Sequence, residues 1–184
     1  GYVVVTDRES LQQAEGDRIL GLFNTSYMSY QNDRIYLGTD EPTLAEMTEK
    51  ALSVLADKEN GFFLLIEGSR IDHAAHGGDL HGVVAEMADF ERAVALAYEF
   101  AQADGNTLVI VTSDHDTMGL SATEPLKYER ISDVKVSPEY MGLQFKVAED
   151  GQSFDEDSIR EVFATYAGVD DLTDADIALI QSMF

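Results

Sequence analysis

The chain has 184 residues, 45% of them apolar, with 12 Lys and Arg against 35 Asp and Glu, a net charge of −23, and no cysteine. That length and apolar share suit one globular core and argue against wholesale disorder, while the missing cysteines exclude disulfides, thiolate zinc sites and cysteine nucleophiles. Such acidity argues against a general nucleic-acid or anionic-membrane binder, which needs basic side chains on phosphates, but not against an enzyme of small phosphorylated molecules, because bound cations reverse the field locally.

The first residues, Gly1-Tyr2-Val3-Val4-Val5-Thr6-Asp7, carry no initiator Met and no basic leader. They predict a buried strand over Tyr2–Val5, entered as if part-way through a longer protein. Arg18–Phe23 predicts a second strand, and the polar stretch from there to Asp40 a loop. Thr43 with Glu46 forms a capping-box pattern, and Leu44, Met47, Ala51 and Val54 recur at helical spacing, so a helix is expected to end near Asn60-Gly61. The apolar runs Phe62–Ile66 and Thr107–Thr112 have strand length, far below the roughly 20 residues of a membrane span. Between them Asp79–Asp104 predicts a long helix, with Val83, Met87, Phe90, Val94, Ala97 and Ala101 on one face and Gly105-Asn106 as its stop. Strand, long helix and strand make a right-handed parallel βαβ unit, expected to be buried on both faces. Beyond Leu120 the pattern changes: β-leaning alternation over Ser132–Val147, an acidic helix over Asp155–Ala167 closed by Gly168, and a last helical turn or two over Thr173–Met183.

Ligands of open parallel sheets bind beyond the carboxyl ends of the strands, and there both central runs carry metal-ligand chemistry. The first leads into Glu67-Gly68-Ser69-Arg70-Ile71-Asp72-His73-Ala74-Ala75-His76, the second into Ser113-Asp114-His115-Asp116-Thr117. Asp72 and His76 are four apart, so on a helical turn they share a face and can offer one zinc an oxygen and a nitrogen. Asp114 and His115 diverge on a helix but can converge on a second ion in a turn after a strand. Glu67, an oxygen donor alone, suits magnesium better. Each pattern has an ordinary alternative. Asp-x-x-x-His pairs are common on helix surfaces, Asp114 could cap a helix, and Glu67 could sit at a helix N-terminus. His81 is expected on a helix surface and Asp155-Glu156-Asp157 in a solvated first turn favoured by the helix dipole. Two ligand-like motifs at the ends of adjacent strands strengthen each other, because the strands bring them to one edge.

These residues resemble the alkaline phosphatase family. Gly61 through His76 is similar to that family's strand and ligand-bearing loop, Pro42 through Thr48 to the helix before it, and Asp89 through Val94 to the helix after it. Asp104 through Thr117 resembles the second strand and loop, with Asp116 where Glu is usual and, just beyond, Met118 where Gly is usual. The resemblance implies a three-layer αβα fold with a mainly parallel sheet, partly represented by residues 1–120, and an acidic α/β insertion at the periphery over 121–184. It implies that Asp72 and His76 bind one zinc, Asp114 and His115 a second, that Glu67 contributes to a magnesium site, and that His73 lines the substrate-binding pocket. It also implies small phosphate monoesters as substrates rather than nucleic acid or a membrane, a homodimeric parent, and a periplasmic or secreted location.

The family's serine nucleophile follows Asp and precedes Ala, and this sequence has no Asp-Ser-Ala; Asp157-Ser158 lies in the acidic helix. The last zinc ligand, a His in a His-Thr-Gly context, is missing too. The expectation is therefore an internal fragment, inactive alone, of a phosphate monoesterase. Two alternatives remain: a related metal-dependent phosphodiesterase or phosphoglycerate mutase, and a non-catalytic metal-binding domain. The Glu67 context favours the phosphatase. The acidity fits adaptation to high salt, for which the melting temperature should rise with added salt, and equally a merely acidic fragment of a less acidic parent.

Overall fold

A computed structural model describes residues 1–121 and 128–184. They form two compact units, Gly1–Leu120 and Ser121–Phe184; residues 122–127 of the expected insertion lie outside the described part.

The first unit opens with two short strands, β1 (Val3–Val5) and β2 (Ile19–Gly21), paired in parallel with Val3 opposite Ile19. Helix α1 (Arg8–Gln13) connects them, capped by Asp7, whose carboxylate accepts from the Ser10 amide at 2.7 Å. The stretch expected as loop contains a helix, α2 (Gln31–Leu37), ended by Gly38 in the left-handed conformation. Its first turn, Gln31-Asn32-Asp33-Arg34, is buried, and polarity had hidden it as an element. The capping box appears as expected: Thr43 accepts from the Glu46 amide at 3.1 Å, Glu46 accepts from the Thr43 amide at 2.8 Å, and α3 (Leu44–Leu55) follows. Helix α4 (Ser69–His76) carries the first ligand-like motif, and α5 (Leu80–Asp104) starts at its Asp79 cap and stops at Gly105.

Helices α2, α3 and α4 all pack on α5, and a buried charge pair pins α2 and α3 there. Arg34 donates from Nη2 to Asp89 Oδ2 at 3.0 Å and from Nη1 to the Pro42 carbonyl at 2.9 Å. The same Asp89 oxygen accepts from the Leu44 amide at 3.0 Å, at the first residue of α3. With side-chain exposures of 6% and 2%, neither charge has water to fall back on, so each depends on the other. Glu86 accepts from the Gln31 amide, and burial pushes its carboxyl above the usual range.

The runs 62–66 and 107–112 depart from the expected βαβ unit. Both alternate in burial over much of their length, but neither makes ladder bonds among the described residues. Phe62 faces the long helix, its ring 5.9 Å from Phe100, whereas Phe63, Leu65, Leu108 and Ile110 are 76–88% exposed. One face of the Phe62–Ile66 run is thus covered by helix.

In the second unit the β-leaning reading of Ser132–Val147 is overturned. That stretch follows α6 (Tyr128–Ile131) and holds α7 (Pro138–Gln144); Val147 contributes a single bridge to Phe154. Ser137 accepts from the Tyr140 amide at 3.0 Å and Pro138 occupies the first turn, a start signal that overrode the alternation. Helix α8 (Glu156–Ala167) begins at its Asp155 cap and ends at left-handed Gly168, and α9 (Asp174–Gln181) follows a Thr173 capping box. Val136, Met141, Val162 and Ala167 form the unit's apolar centre, with Tyr140 and Phe163 against it. Ser158 is buried, its hydroxyl accepting from the Lys146 amide, an unsuitable setting for a nucleophile. Among the described residues no helix is long and apolar enough to cross a membrane.

Candidate metal centre

The first run delivers the chain onto α4 through Gly68, where space is tight. A Cβ at this position would approach Ile71 Cδ1 to 2.9 Å and the Phe90 ring to 3.0 Å, so those side chains would have to shift. Held close, α4 aligns Asp72 and His76 one turn apart, with Oδ2 and Nε2 separated by 3.6 Å. In the second loop His115 and Asp114 turn toward each other, Nε2 to Oδ2 at 3.2 Å. His115 Nδ1 lies 3.0 Å from the Asp116 carbonyl. The loop leaves through Met118 at φ +53°, a left-handed conformation that strains a side-chain-bearing residue, and Gly119 at φ +61°.

One hydrogen bond joins the two loops: Thr117 Oγ1 donates to Asp72 Oδ1 at 2.5 Å across 45 residues of sequence. That bond lowers the Asp72 carboxyl below its usual range, and the imidazoles of His76, His115 and His73 add to the effect. Three of the chain's four histidines therefore lie within electrostatic reach of one carboxylate. The sequence points to the two motifs separately and carries no sign of the threonine bond that ties them.

The other candidates fall as follows. Glu67 is exposed at the end of the first run and has no described hydrogen bond. His73 is half-buried, one residue beyond Asp72, with Nδ1 2.9 Å from Arg70 Nη1 and its ring 4.4 Å from that of Tyr27. His81 is half-buried in the first turn of α5. The side chains of Asp72, His76, Asp114 and His115 are 37%, 56%, 85% and 59% exposed, so water and ions reach all four.

Each pair combines one hard oxygen and one imidazole nitrogen, a donor set that suits zinc. Among the described residues no three His, Asp or Glu side chains converge as a ligand cluster. The residues present therefore fit two partial sites, each supplying two donors where a catalytic zinc normally takes three from protein.

The family model described as alkaline phosphatase matches residues 1–161. Alkaline phosphatase 4 of Bacillus subtilis is 36% identical over 173 residues, covering 92% of this chain and 35% of that protein. Alkaline phosphatase of Escherichia coli K12 is 51% identical over 74 residues, 40% of this chain and 16% of that protein. Among solved structures, Thermus thermophilus alkaline phosphatase superposes with a TM-score of 0.86 at 30% identity, covering 100% of this chain and 40% of that one. A cold-active alkaline phosphatase from a Shewanella species gives 0.74 at 28% identity, covering 94% and 41%. The chain thus spans 29–35% of the length of three curated alkaline phosphatases that it matches. Its partial α/β architecture is that of these structures, and the chain belongs to the alkaline phosphatase family.

Proposed function

We propose that this chain supplies the metal-binding edge of a phosphatase that hydrolyses small phosphate monoesters. Asp72 and His76 are assigned to one zinc, Asp114 and His115 to a second, and Glu67 to magnesium. The observation that carries the reading is the Thr117–Asp72 bond, which brings both loops to one carboxylate. Metal ions bound at such sites stabilise the entering and leaving oxygens of a phosphoryl transfer. The protein's part is to orient the donors. Helix α4 sets the Asp72–His76 spacing, Thr117 occupies Oδ1 of Asp72 so that Oδ2 stays beside His76, and the His115 ring is steadied by its own loop's backbone. Two donors per site and a sequence without Asp-Ser-Ala support metal uptake without turnover by this chain alone. The parent is proposed to act as a periplasmic or secreted homodimer.

Calorimetric titration with zinc, followed by p-nitrophenyl phosphate with zinc and magnesium present, tests this. The expected result is zinc uptake weakened at least about 10-fold in both Asp72→Ala and Asp114→Ala, no less than loss of an outer-shell partner costs, with no ester hydrolysis. Unchanged uptake in both variants overturns the ligand assignment, and zinc-dependent hydrolysis by the chain alone overturns the division of labour.

A further inference from the structure

Arg70 makes an arrangement that the metal assignment does not use. Its guanidinium carbon lies 3.6 Å from the centroid of the Tyr30 ring, a distance of close stacking, and 5.8 Å from that of Tyr27. Tyr30 is itself buried, 7% exposed, so the platform under the guanidinium is part of the packed interior. Glu86, buried in α5, lies within electrostatic reach of the same group. Held on these sides, Arg70 directs Nη1 to His73 Nδ1 at 2.9 Å, three residues on along α4. The exposed ring of Tyr27 meets the imidazole at an interplanar angle of 71°.

The direction of that hydrogen bond is fixed by chemistry. Arginine carries only donors and keeps its proton in proteins, so Nδ1 of His73 must accept. The ring proton is then left on Nε2, the one polar atom of the imidazole not taken up by Arg70. We propose that Arg70 is a positioning residue: stacked on Tyr30, it locks His73 in orientation and in the Nε2–H tautomer, making it a fixed hydrogen-bond donor for a phosphoryl oxygen beside Asp72. The lock stands on the arrangement of Tyr30, Arg70 and His73; its use on phosphate rests on the phosphatase reading.

The two parts are separated by imidazole nitrogen NMR on the 15N-labelled full chain, at alkaline pH above the ordinary range of imidazole titration. The wild type is expected to show His73 unprotonated at Nδ1 and protonated at Nε2. Arg70→Lys, still a donor only, should keep that pattern. In Arg70→Glu, an acceptor only, the proton should move to Nδ1 and the tautomer ratio invert, an effect that mere loss of packing does not produce. His73 protonated at Nδ1 in the wild type overturns the lock, and so does an unchanged ratio in folded Arg70→Glu; if that variant fails to fold, the wild type and Arg70→Lys still decide. Inorganic phosphate is then added with zinc and magnesium. A shift at His73 Nε2 in the wild type, absent in Arg70→Glu, supports the donor role, whereas phosphate shifts that bypass His73 overturn it. Should phosphate move no residue while the tautomer pattern holds, the lock stands and the phosphatase reading of this chain fails.

Discussion

The two units solve the problem of holding a small fold together in different ways. Residues Gly1–Leu120 gather much of their buried interior from polar groups: Arg34, Asp89, Glu86, Asn32, Gln31 and Glu41 are all at least nine-tenths covered. Meanwhile Phe63, Leu65, Leu108 and Ile110 face outward. Residues 128–184 do the reverse, closing a small apolar centre of Val136, Met141, Val162 and Ala167 and leaving their charge in solvent-facing pairs such as Arg130–Asp171 and Arg160–Glu156. Hydrophobic packing is non-directional and tolerates change of shape. A buried ion pair is directional and fails when one partner is removed. The unit that must hold two loops in register is the one built on directional contacts.

The largest effect that sharpens this contrast is expected at Asp89. Asp89→Ala leaves Arg34 buried without its counter-charge and frees the start of α3, and should cost about 4 kcal/mol in urea unfolding. Loss of hydrogen-exchange protection across α2, α3 and α5 should accompany it. In the second unit Ile159 is 0% exposed, and Ile159→Ala should cost about 3 kcal/mol through lost burial and the cavity left behind. If Asp89→Ala proves the milder of the two, the polar centre does not hold the first unit together.

A smaller, pH-dependent effect is expected at Glu86. Burial raises its carboxyl above the ordinary value of 4.5, so the folded state binds a proton that the unfolded chain has already released. Stability from this group is therefore fully present below 4.5 and falls as pH rises through the elevated folded value. Glu86→Gln removes the titrating group, and its urea midpoint relative to wild type should climb between pH 4.5 and neutrality. A constant difference across that window contradicts the burial argument.

Much of the molecule was legible where the signal is local. The Thr43–Glu46 box, the Asp79 start and Gly105 stop of α5, and the Asp155–Gly168 helix are each written in a few adjacent residues. Helix α2 was not, because Gln31-Asn32-Asp33-Arg34 looks like a solvated loop until Glu86 and Asp89, more than fifty residues on, accept its hydrogen bonds. Ser137-Pro138 carried a start signal that Val134 and Val136, alternating around Lys135, disguised as strand. At the site, the Asp72–His76 and Asp114–His115 pairs could be found by spacing. The Thr117 bond and the Tyr30–Arg70 stack could not, since each joins side chains that only the folded chain brings together.

Both loops are expected to present their donor pairs at one edge of the first unit, and a crystal structure of this chain grown with zinc, with anomalous scattering to locate the metal, tests that most directly. Zinc is expected on Asp72 with His76 and on Asp114 with His115, with Thr117 still bonded to Asp72. Zinc bound elsewhere, or His76 and His115 facing opposite sides of the first unit, would contradict it.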